Sequence, residues 1–247
     1  MSLKPVYISA FDVDDAWFRA LSEILDHGYV YTIDRGSYEG QQRLEFDFVT
    51  IQITNPSHQI IPIIPEGVSI PAPTDMNYVQ SYLTYLLTDQ KTETEDYTYG
   101  ERLVDPKIKV PLEGDLYKEI PLEVNQVEEV IKIYKEKGYG TNQAVMEIGM
   151  PGDIKLVDPP CLRLIDTRIR YGQLHFILYF RSWDLWGGLP SNLGGLQLVK
   201  QYMASEIGVD DGQIIACSKG LHLYDYAWEW AKIRTHKDSI KALEGVK

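Results

Sequence analysis

The chain has 247 residues, of which 44% are hydrophobic, so it is long enough to bury one large core and is expected to form a single domain over residues 1–247. Its formal charge of −12 at pH 7 repels polyanions, which argues against nucleic acid and anionic membranes as partners, although local arginines could still hold a small phosphorylated ligand. No apolar run approaches the roughly 18 residues that span a bilayer, and no secretion signal opens the chain, so a cytoplasmic location is expected.

The first half of the chain predicts two helices on either side of a strand. Residues 1–3 could be a cloning remnant, because the first apolar element begins only after them. Apolar residues then recur at helical spacing until a glycine ends the run, and Asp12 or Asp14 can cap the start of this helix. Residues 44–53 alternate with a period of two, as a half-buried strand does. After a proline-punctuated stretch, tyrosines at helical spacing predict a helix near 75–88.

The second half predicts further helices around a β-hairpin. A helical pattern covers 124–137, and residues 144–148 form a short apolar strand. Two alternating runs, 162–170 and 173–181, are separated by a Tyr-Gly turn and therefore predict a hairpin. Apolar residues from 196 to 207 recur at spacings of three and four, which predicts a helix that is buried on one face. The expected fold class is α+β, with a mixed or largely antiparallel sheet.

The two cysteines, Cys161 and Cys217, have no spacing that suggests a zinc site or a disulfide framework. Two prolines precede Cys161 and restrict the backbone, so its thiol is expected at the entrance of a strand. Taken alone, each cysteine is better interpreted as a small buried hydrophobe. Cys217, inside an apolar run, keeps that interpretation.

The residues after Cys161 carry groups suited to chemistry. The segment 181–192 places a guanidinium, a hydroxyl, a carboxylate, several glycines and a carboxamide between a predicted strand and a predicted helix, as a phosphorylated heterocycle requires. Arg181, Asn192 and His222 follow Cys161 by 20, 31 and 61 residues. In order and spacing this pattern resembles the thymidylate synthase family, whose signature recurs in four blocks: Pro160-Cys161, Arg181-Ser182-Trp183-Asp184, Gly188-Leu189-Pro190-Ser191-Asn192 and His222-Leu223-Tyr224.

The resemblance implies a fold and a reaction. The fold would be α+β, with a mixed, largely antiparallel sheet flanked by helices and packed face to face with its copy in a homodimer. The protein would be a folate-dependent methyltransferase, a thymidylate synthase that turns dUMP into dTMP with 5,10-methylenetetrahydrofolate as co-substrate and no metal. The thiolate of Cys161 would add to C6 of dUMP, which makes C5 nucleophilic toward the one-carbon unit. The expected partners are dUMP, the folate and a second copy of the chain.

The matched positions imply individual roles. Arg181 would stabilise the thiolate and, with Ser182 and Arg35, would hold the phosphate; Arg35 lies in a looser match over residues 34–37. Asn192 would pair with O4 and N3 of the pyrimidine, because a carboxamide both donates and accepts. The remaining roles are sugar-hydroxyl binding by His222 and Tyr224, pterin binding by Asp184 beside Gly188, and organisation of the water that removes the C5 proton by Tyr99.

Four positions depart from the family pattern. Leu162 follows the cysteine where the family usually has histidine, which would remove a polar neighbour of the site. Residues 141–145 have neutral side chains where the family has two arginines that reach the partner subunit. Gln80 and Ser81 stand roughly where a catalytic glutamate is expected. The chain also ends 23 residues after Tyr224, without the usual closing tail, and in this it resembles the archaeal branch of the family.

Two alternative functions remain open at this point. A deoxypyrimidine nucleotide 5-hydroxymethylase shares every motif, but water instead of hydride completes its reaction. A homologue that binds nucleotides and has lost turnover would explain the missing arginines, glutamate and tail. The cytidylate branch of the hydroxymethylases has aspartate in place of Asn192, so the amide favours uracil. The thiol and the amide together favour catalysis.

Overall fold

Residues 2–34, 38–112 and 117–241 are described by a computed structural model, so the expectation for Arg35 lies outside the described residues. The strands are β1 (Pro5–Ala10), β2 (Tyr29–Thr32), β3 (Gln42–Glu45), β4 (Phe48–Ile53), β5 (Lys107–Pro111), β6 (Tyr117–Pro121), β7 (Val145–Glu147), β8 (Leu162–Arg170), β9 (Gln173–Phe180), β10 (Trp183–Asp184), β11 (Asp210–Ser218) and β12 (Leu221–Tyr224). The α-helices are α1 (Val13–His27), α2 (Met76–Leu86), α3 (Tyr99–Val104), α4 (Gln126–Lys137), α5 (Gly188–Ile207) and α6 (Trp228–Thr235).

Within the described residues, a six-stranded sheet with the order β1-β4-β11-β9-β8-β7 supports the core. The pairs β1/β4 and β11/β9 are parallel, whereas β4/β11, β9/β8 and β8/β7 are antiparallel. The predicted hairpin is present as β8 and β9. Every second side chain of β9 is buried, since successive residues of a strand point to opposite faces. The sheet confirms the expected α+β class with mixed, largely antiparallel strands.

The prediction of one continuous strand over 44–53 is wrong, because this segment forms two strands in different sheets. β3 belongs to a four-stranded sheet with the order β10-β12-β3-β2, whereas β4 belongs to the six-stranded sheet. At the break, the backbone N–H of Phe46 donates to the carbonyl oxygen of Leu221 at 3.1 Å. Both strands bury apolar side chains in the same core cluster. The alternation changes phase at the break, since Leu44 and Phe46 are buried before it and Val49 and Ile51 after it.

The helices predicted in the first half and over 124–137 are present as α1, α2 and α4. Each begins after a side chain that accepts a backbone N–H bond, and these caps are Asp12, Asp75 and Asn125. No helix among the described residues is both long enough and apolar enough to cross a membrane.

The helix α5 differs from its prediction in two ways. It begins at Gly188, more than two turns before the apolar pattern, and residues 193–197 are all buried, which covers a whole turn instead of one face. The reason is that α5 packs against α1, α2 and α4 as well as against β9 and β11. A helix surrounded in this way places the residues of its first turns at the meeting point of several elements.

Candidate active site

The candidate nucleophile, Cys161, lies directly before β8 with its thiol half-buried. The backbone N–H of Arg181, at the end of the neighbouring strand β9, donates to the carbonyl oxygen of Cys161 at 2.8 Å. The Arg181 Nε lies 3.0 Å from the carbonyl oxygen of Pro159 and 3.2 Å from that of Pro160, and its Nη2 lies 2.8 Å from Asp158 Oδ1. The guanidinium is therefore tied to the loop that carries the thiol.

The ionisation of Cys161 is set by opposing influences. Burial raises the pKa of the thiol above its usual range, because a thiolate is poorly solvated there. The guanidinium of Arg181 lowers this pKa, and the exposed carboxylate of Asp158 raises it. The thiolate thus depends on the arginine for its stabilisation.

The phenol of Tyr99 meets the same loop from the other side. Its hydroxyl oxygen accepts a hydrogen bond from the backbone N–H of Leu162 at 3.1 Å. Burial and the nearby Cys161 raise the pKa of Tyr99, so the phenol is protonated at neutral pH. The next residue, Gly100, lets α3 pack closely on the end of α2: a Cβ there would lie about 2 Å from the carbonyl oxygens of Tyr85 and Thr88.

The structure shows that Leu162 does not change the polarity of the site by its side chain. That side chain is fully buried in the core, and only its backbone N–H faces Tyr99. Cys161, directly before β8, is half-buried. The leucine that stands in place of the usual histidine therefore contributes to core packing.

The carboxamide of Asn192, in the first turns of α5, is held at both ends. Trp183 Nε1 donates to Asn192 Oδ1 at 3.0 Å, and Asn192 Nδ2 donates to the hydroxyl of Tyr82 at 2.9 Å. Burial raises the pKa of Tyr82 well above its usual value, so this hydroxyl remains protonated. The amide thus has a defined orientation.

The imidazole of His222 is buried, with 3% of its surface exposed. Its Nδ1 lies 2.8 Å from the carbonyl oxygen of Gly220, and a carbonyl only accepts, so Nδ1 carries the proton. Burial lowers the pKa of His222 to about 4, and the positive charge of Arg43 contributes to this lowering. The ring is therefore neutral near pH 7. Its Nε2 is then an acceptor, and it has no hydrogen-bond partner among the described residues. The ring of Tyr224 lies edge-on at 4.8 Å.

The carboxylate of Asp184 caps α5. Its Oδ2 accepts from the backbone N–H groups of Gly187 at 2.9 Å and Gly188 at 2.8 Å, and its Oδ1 accepts from that of Trp186 at 3.2 Å. The pairing of β10 with β12 places Asp184 directly beside His222. Both predicted pterin-site residues therefore lie at the start of α5, next to the histidine.

Four of the sequence-predicted residues lie at or near the Cys161 loop. Arg181 and Tyr99 contact that loop directly, and Ser182 follows Arg181 at the end of β9, half-buried. Tyr224 is close enough to Cys161 for a thiolate there to raise its pKa, although burial is the larger cause. Cys217 lies away from the loop on β11, with its sulfur 3.5 Å from the Thr50 hydroxyl.

Sequence reasoning missed a run of aromatic rings that leads from α2 to the Cys161 loop. The centroids of Tyr82 and Tyr85 are 5.5 Å apart, Tyr85 and Tyr99 are 6.4 Å apart, and Tyr99 and Tyr97 are 6.3 Å apart. The spacing of tyrosines in α2 indicated only a packed face. Gln80 and Ser81, the positions suggested for a glutamate, are exposed, so Tyr82 is the residue that faces Asn192.

Another cavity lies outside this cluster. Its volume is about 740 Å³, and it opens beneath the β5–β6 hairpin, beside α4 and β7. None of the predicted site residues lines it. Within the described part of the chain, no three histidine, cysteine, aspartate or glutamate side chains are grouped to hold a metal ion.

The fold and the site define an α+β protein with a half-buried cysteine beside a tethered arginine, and with an oriented amide and a neutral histidine on nearby elements. Comparison with known proteins identifies the class further: the chain belongs to the thymidylate synthase family, whose model, described as "Thymidylate synthase", matches residues 85–243.

The chain is similar to proteins described as thymidylate synthases or putative thymidylate synthases. A "Putative thymidylate synthase" of Methanosarcina acetivorans is 33% identical over 224 residues, which are 90% of this chain and 91% of the relative. One of Methanothermobacter marburgensis is 25% identical over 91% of this chain and 96% of its own length. A "Thymidylate synthase" of Listeria monocytogenes is 29% identical over 44% of this chain and 35% of its own length.

Proposed function

We propose that this protein is a cytoplasmic thymidylate synthase that converts dUMP and 5,10-methylenetetrahydrofolate into dTMP and dihydrofolate through a covalent adduct at Cys161. The observation that carries the proposal is the tethering of Arg181 to the carbonyl oxygens of residues 159 and 160. It holds a permanent positive charge beside the thiol, where that charge favours the thiolate needed for attack on C6.

The substrate is held by groups that match its three parts. Arg181 and Ser182 bind the phosphate, with Arg35 as a further candidate for the same role. Asn192 faces the edge of the base. The unprotonated Nε2 of His222 accepts a hydrogen bond from a sugar hydroxyl, with Tyr224 beside it.

The co-substrate fits beside Asp184. Three backbone N–H groups orient this carboxylate, and its remaining lone pairs can accept from a ring rich in N–H groups, such as a pterin. Gly188 leaves space next to it. The folate supplies both the one-carbon unit and the hydride. No metal has a role in this reaction.

The chain's own residues then move the electrons and the proton. The thiolate of Cys161 bonds to C6, and the electron pair of the C5–C6 double bond shifts toward C5, which bonds to the one-carbon unit. Tyr99, protonated and hydrogen-bonded to the Leu162 backbone, positions the water that accepts the C5 proton. Loss of that proton expels the folate nitrogen from the one-carbon unit and leaves a methylene group at C5. Hydride transfer from the released tetrahydrofolate completes the methyl group, and the C5–C6 double bond re-forms as the sulfur of Cys161 leaves.

A covalent trap tests the proposal. The protein is incubated with 5-fluoro-dUMP and 5,10-methylenetetrahydrofolate, and its intact mass is measured. We expect a ternary adduct in the wild type and in Cys217→Ala, which removes the other half-buried thiol, and no adduct in Cys161→Ala.

The outcomes separate the alternatives. An unmodified wild-type mass contradicts the proposal, and nucleotide binding without an adduct then indicates a homologue that has lost turnover. If dUMP is consumed without formation of dihydrofolate, the protein is a hydroxymethylase instead of a synthase.

A further inference from the structure

The amide of Asn192 has only one orientation that satisfies its neighbours. The indole Nε1 of Trp183 can donate but cannot accept, so the amide atom 3.0 Å away from it must be the oxygen. The nitrogen then faces the hydroxyl of Tyr82 at 2.9 Å. The hydroxyl can donate or accept, so Tyr82 would tolerate either end of the amide, whereas Trp183 tolerates only one.

The indole that makes this distinction is rigidly held. Trp183 is 2% exposed, and its ring stacks on that of Phe180 with a centroid separation of 4.0 Å and an interplanar angle of 4°. Its backbone N–H donates to the carbonyl oxygen of Gly220 at 2.9 Å, in the pairing of β10 with β12. Because strand and ring are both fixed, the donor cannot turn away from Asn192.

The second support comes from the close packing of α2 on α5. A Cβ at Gly195 would lie 2.4 Å from the ring of Tyr82, so only glycine allows the two helices to approach this closely. Tyr82 is thereby pressed against the turn of α5 that carries Asn192. The amide is held between a donor on one side and an adaptable hydroxyl on the other.

The hydrogen-bonding groups of the Asn192 amide that remain unused define which base edge can pair with it. Beyond these two bonds, Oδ1 keeps one lone pair and Nδ2 keeps one N–H. Uracil offers an acceptor, O4, beside a donor, N3–H, which matches this pair. Cytosine offers a donor amino group beside an acceptor nitrogen, so it requires the amide to turn by half a rotation. That rotation would bring the amide NH2 against the indole N–H, two donors facing each other in a buried place.

We infer that Trp183 is the specificity-determining positioning residue of this site, because its indole N–H locks Asn192 in the orientation that reads uracil and rejects cytosine. The inference rests on the proposed function, in which Asn192 faces the base. Trp183 acts through Asn192 and sets the ratio of affinities for the two bases. The cost of two facing donors corresponds to roughly a 10- to 100-fold preference for dUMP over dCMP.

The test compares the binding of dUMP and dCMP by calorimetry. Trp183→Phe keeps an aromatic ring next to Phe180 but removes the donor, and we expect the preference for dUMP to fall by at least about tenfold. Tyr82→Phe should weaken binding of dUMP while preserving the ratio, because a hydroxyl does not discriminate the ends of an amide. Trp228→Phe is the matched control: it removes an indole N–H that donates to the Leu223 carbonyl oxygen at 3.0 Å, and the ratio should stay unchanged.

A second replacement of Trp183, with a side chain of the same shape, tests the inference even if Trp183→Phe does not fold. Replacement of Trp183 by 3-benzothienylalanine exchanges the N–H for sulfur and keeps the size of the ring, so it decides the question if Trp183→Phe unfolds. A folded variant of either kind that retains the wild-type preference overturns the inference, as does a wild type that binds both nucleotides equally. A wild type that binds neither nucleotide contradicts the proposed function instead, which keeps the two failures distinct.

Discussion

The hydroxyl oxygen of Tyr99 lies 3.1 Å from the backbone nitrogen of Leu162, the residue directly after the candidate nucleophile. This bond joins α3 to the start of β8, so the helix and the loop of Cys161 share one position. The guanidinium of Arg181 holds the same loop through its carbonyl oxygens. The loop of the thiol is therefore fixed from two sides, and one of the two groups, Arg181, also lowers the pKa of Cys161.

The reactivity of Cys161 should follow the charges beside it. In a Cys217→Ala background, Arg181→Gln should slow alkylation by iodoacetamide at pH 8 by about two- to tenfold, because loss of the guanidinium raises the pKa of Cys161 further. Asp158→Asn should accelerate alkylation, because that carboxylate raises the same pKa. If both variants change the alkylation rate in the same direction, this electrostatic explanation is contradicted.

Removal of the Tyr99 hydroxyl should affect stability and proton removal differently. Tyr99→Phe leaves the Leu162 N–H without its acceptor, so urea denaturation should show a loss of about 1–3 kcal/mol in the free energy of unfolding. Release of tritium from C5 of labelled dUMP should fall by roughly 100-fold. Tyr97→Phe, which changes a neighbouring ring of the same run, is the control. A comparable loss of tritium release in Tyr97→Phe would argue against a specific role for Tyr99.

The acceptor at His222 predicts a dependence on the sugar hydroxyl. Wild-type protein should bind dUMP about tenfold more tightly than 2′,3′-dideoxyuridine monophosphate, which lacks the 3′-hydroxyl, because that hydroxyl satisfies the buried Nε2. In His222→Ala the difference between the two nucleotides should disappear. If calorimetry finds the same difference in both proteins, the hydroxyl is bound elsewhere.

A buried lysine should make stability depend on pH in alkaline solution. Lys200 is completely buried beside Asp211 at 3.1 Å, and burial lowers its pKa from 10.5 to about 8. Between about pH 8 and 10.5 the unfolded chain binds more protons at this residue than the folded protein does, so stability should rise with pH across that window.

The variant Lys200→Met isolates this contribution. The free energy of unfolding of the wild type minus that of Lys200→Met should rise by at most about 1.4 kcal/mol per pH unit within the window and be flat below it. Groups that do not sense the charge of Lys200 cancel in the difference, and His175, whose pKa the lysine helps to lower from 6.5, titrates below this window. A difference that stays constant from pH 7 to 10.5 would mean that the lysine has its ordinary pKa.

The periodic parts of the fold were predictable because their patterns are local. The β8–β9 hairpin and the helices α1, α2 and α4 follow directly from alternation, helical spacing and capping residues. The strand predicted over 44–53 failed because the alternation changes phase where the chain passes from one sheet to the other, so two strands share this segment. The helix α5 was expected to be buried on one face, but its neighbours surround it.

The sequence by itself determined the family and the candidate reacting groups, because residue types and their spacing along the chain are one-dimensional properties that a motif preserves. Only the tertiary structure decided that Tyr82 meets Asn192, 110 residues away, and that Trp183 Nε1 faces the amide oxygen. It also decided that Gln80 and Ser81 point to solvent. Such pairings depend on how whole helices and strands pack around one core, and the direction of a side chain within that packing follows from the summed contacts of the fold.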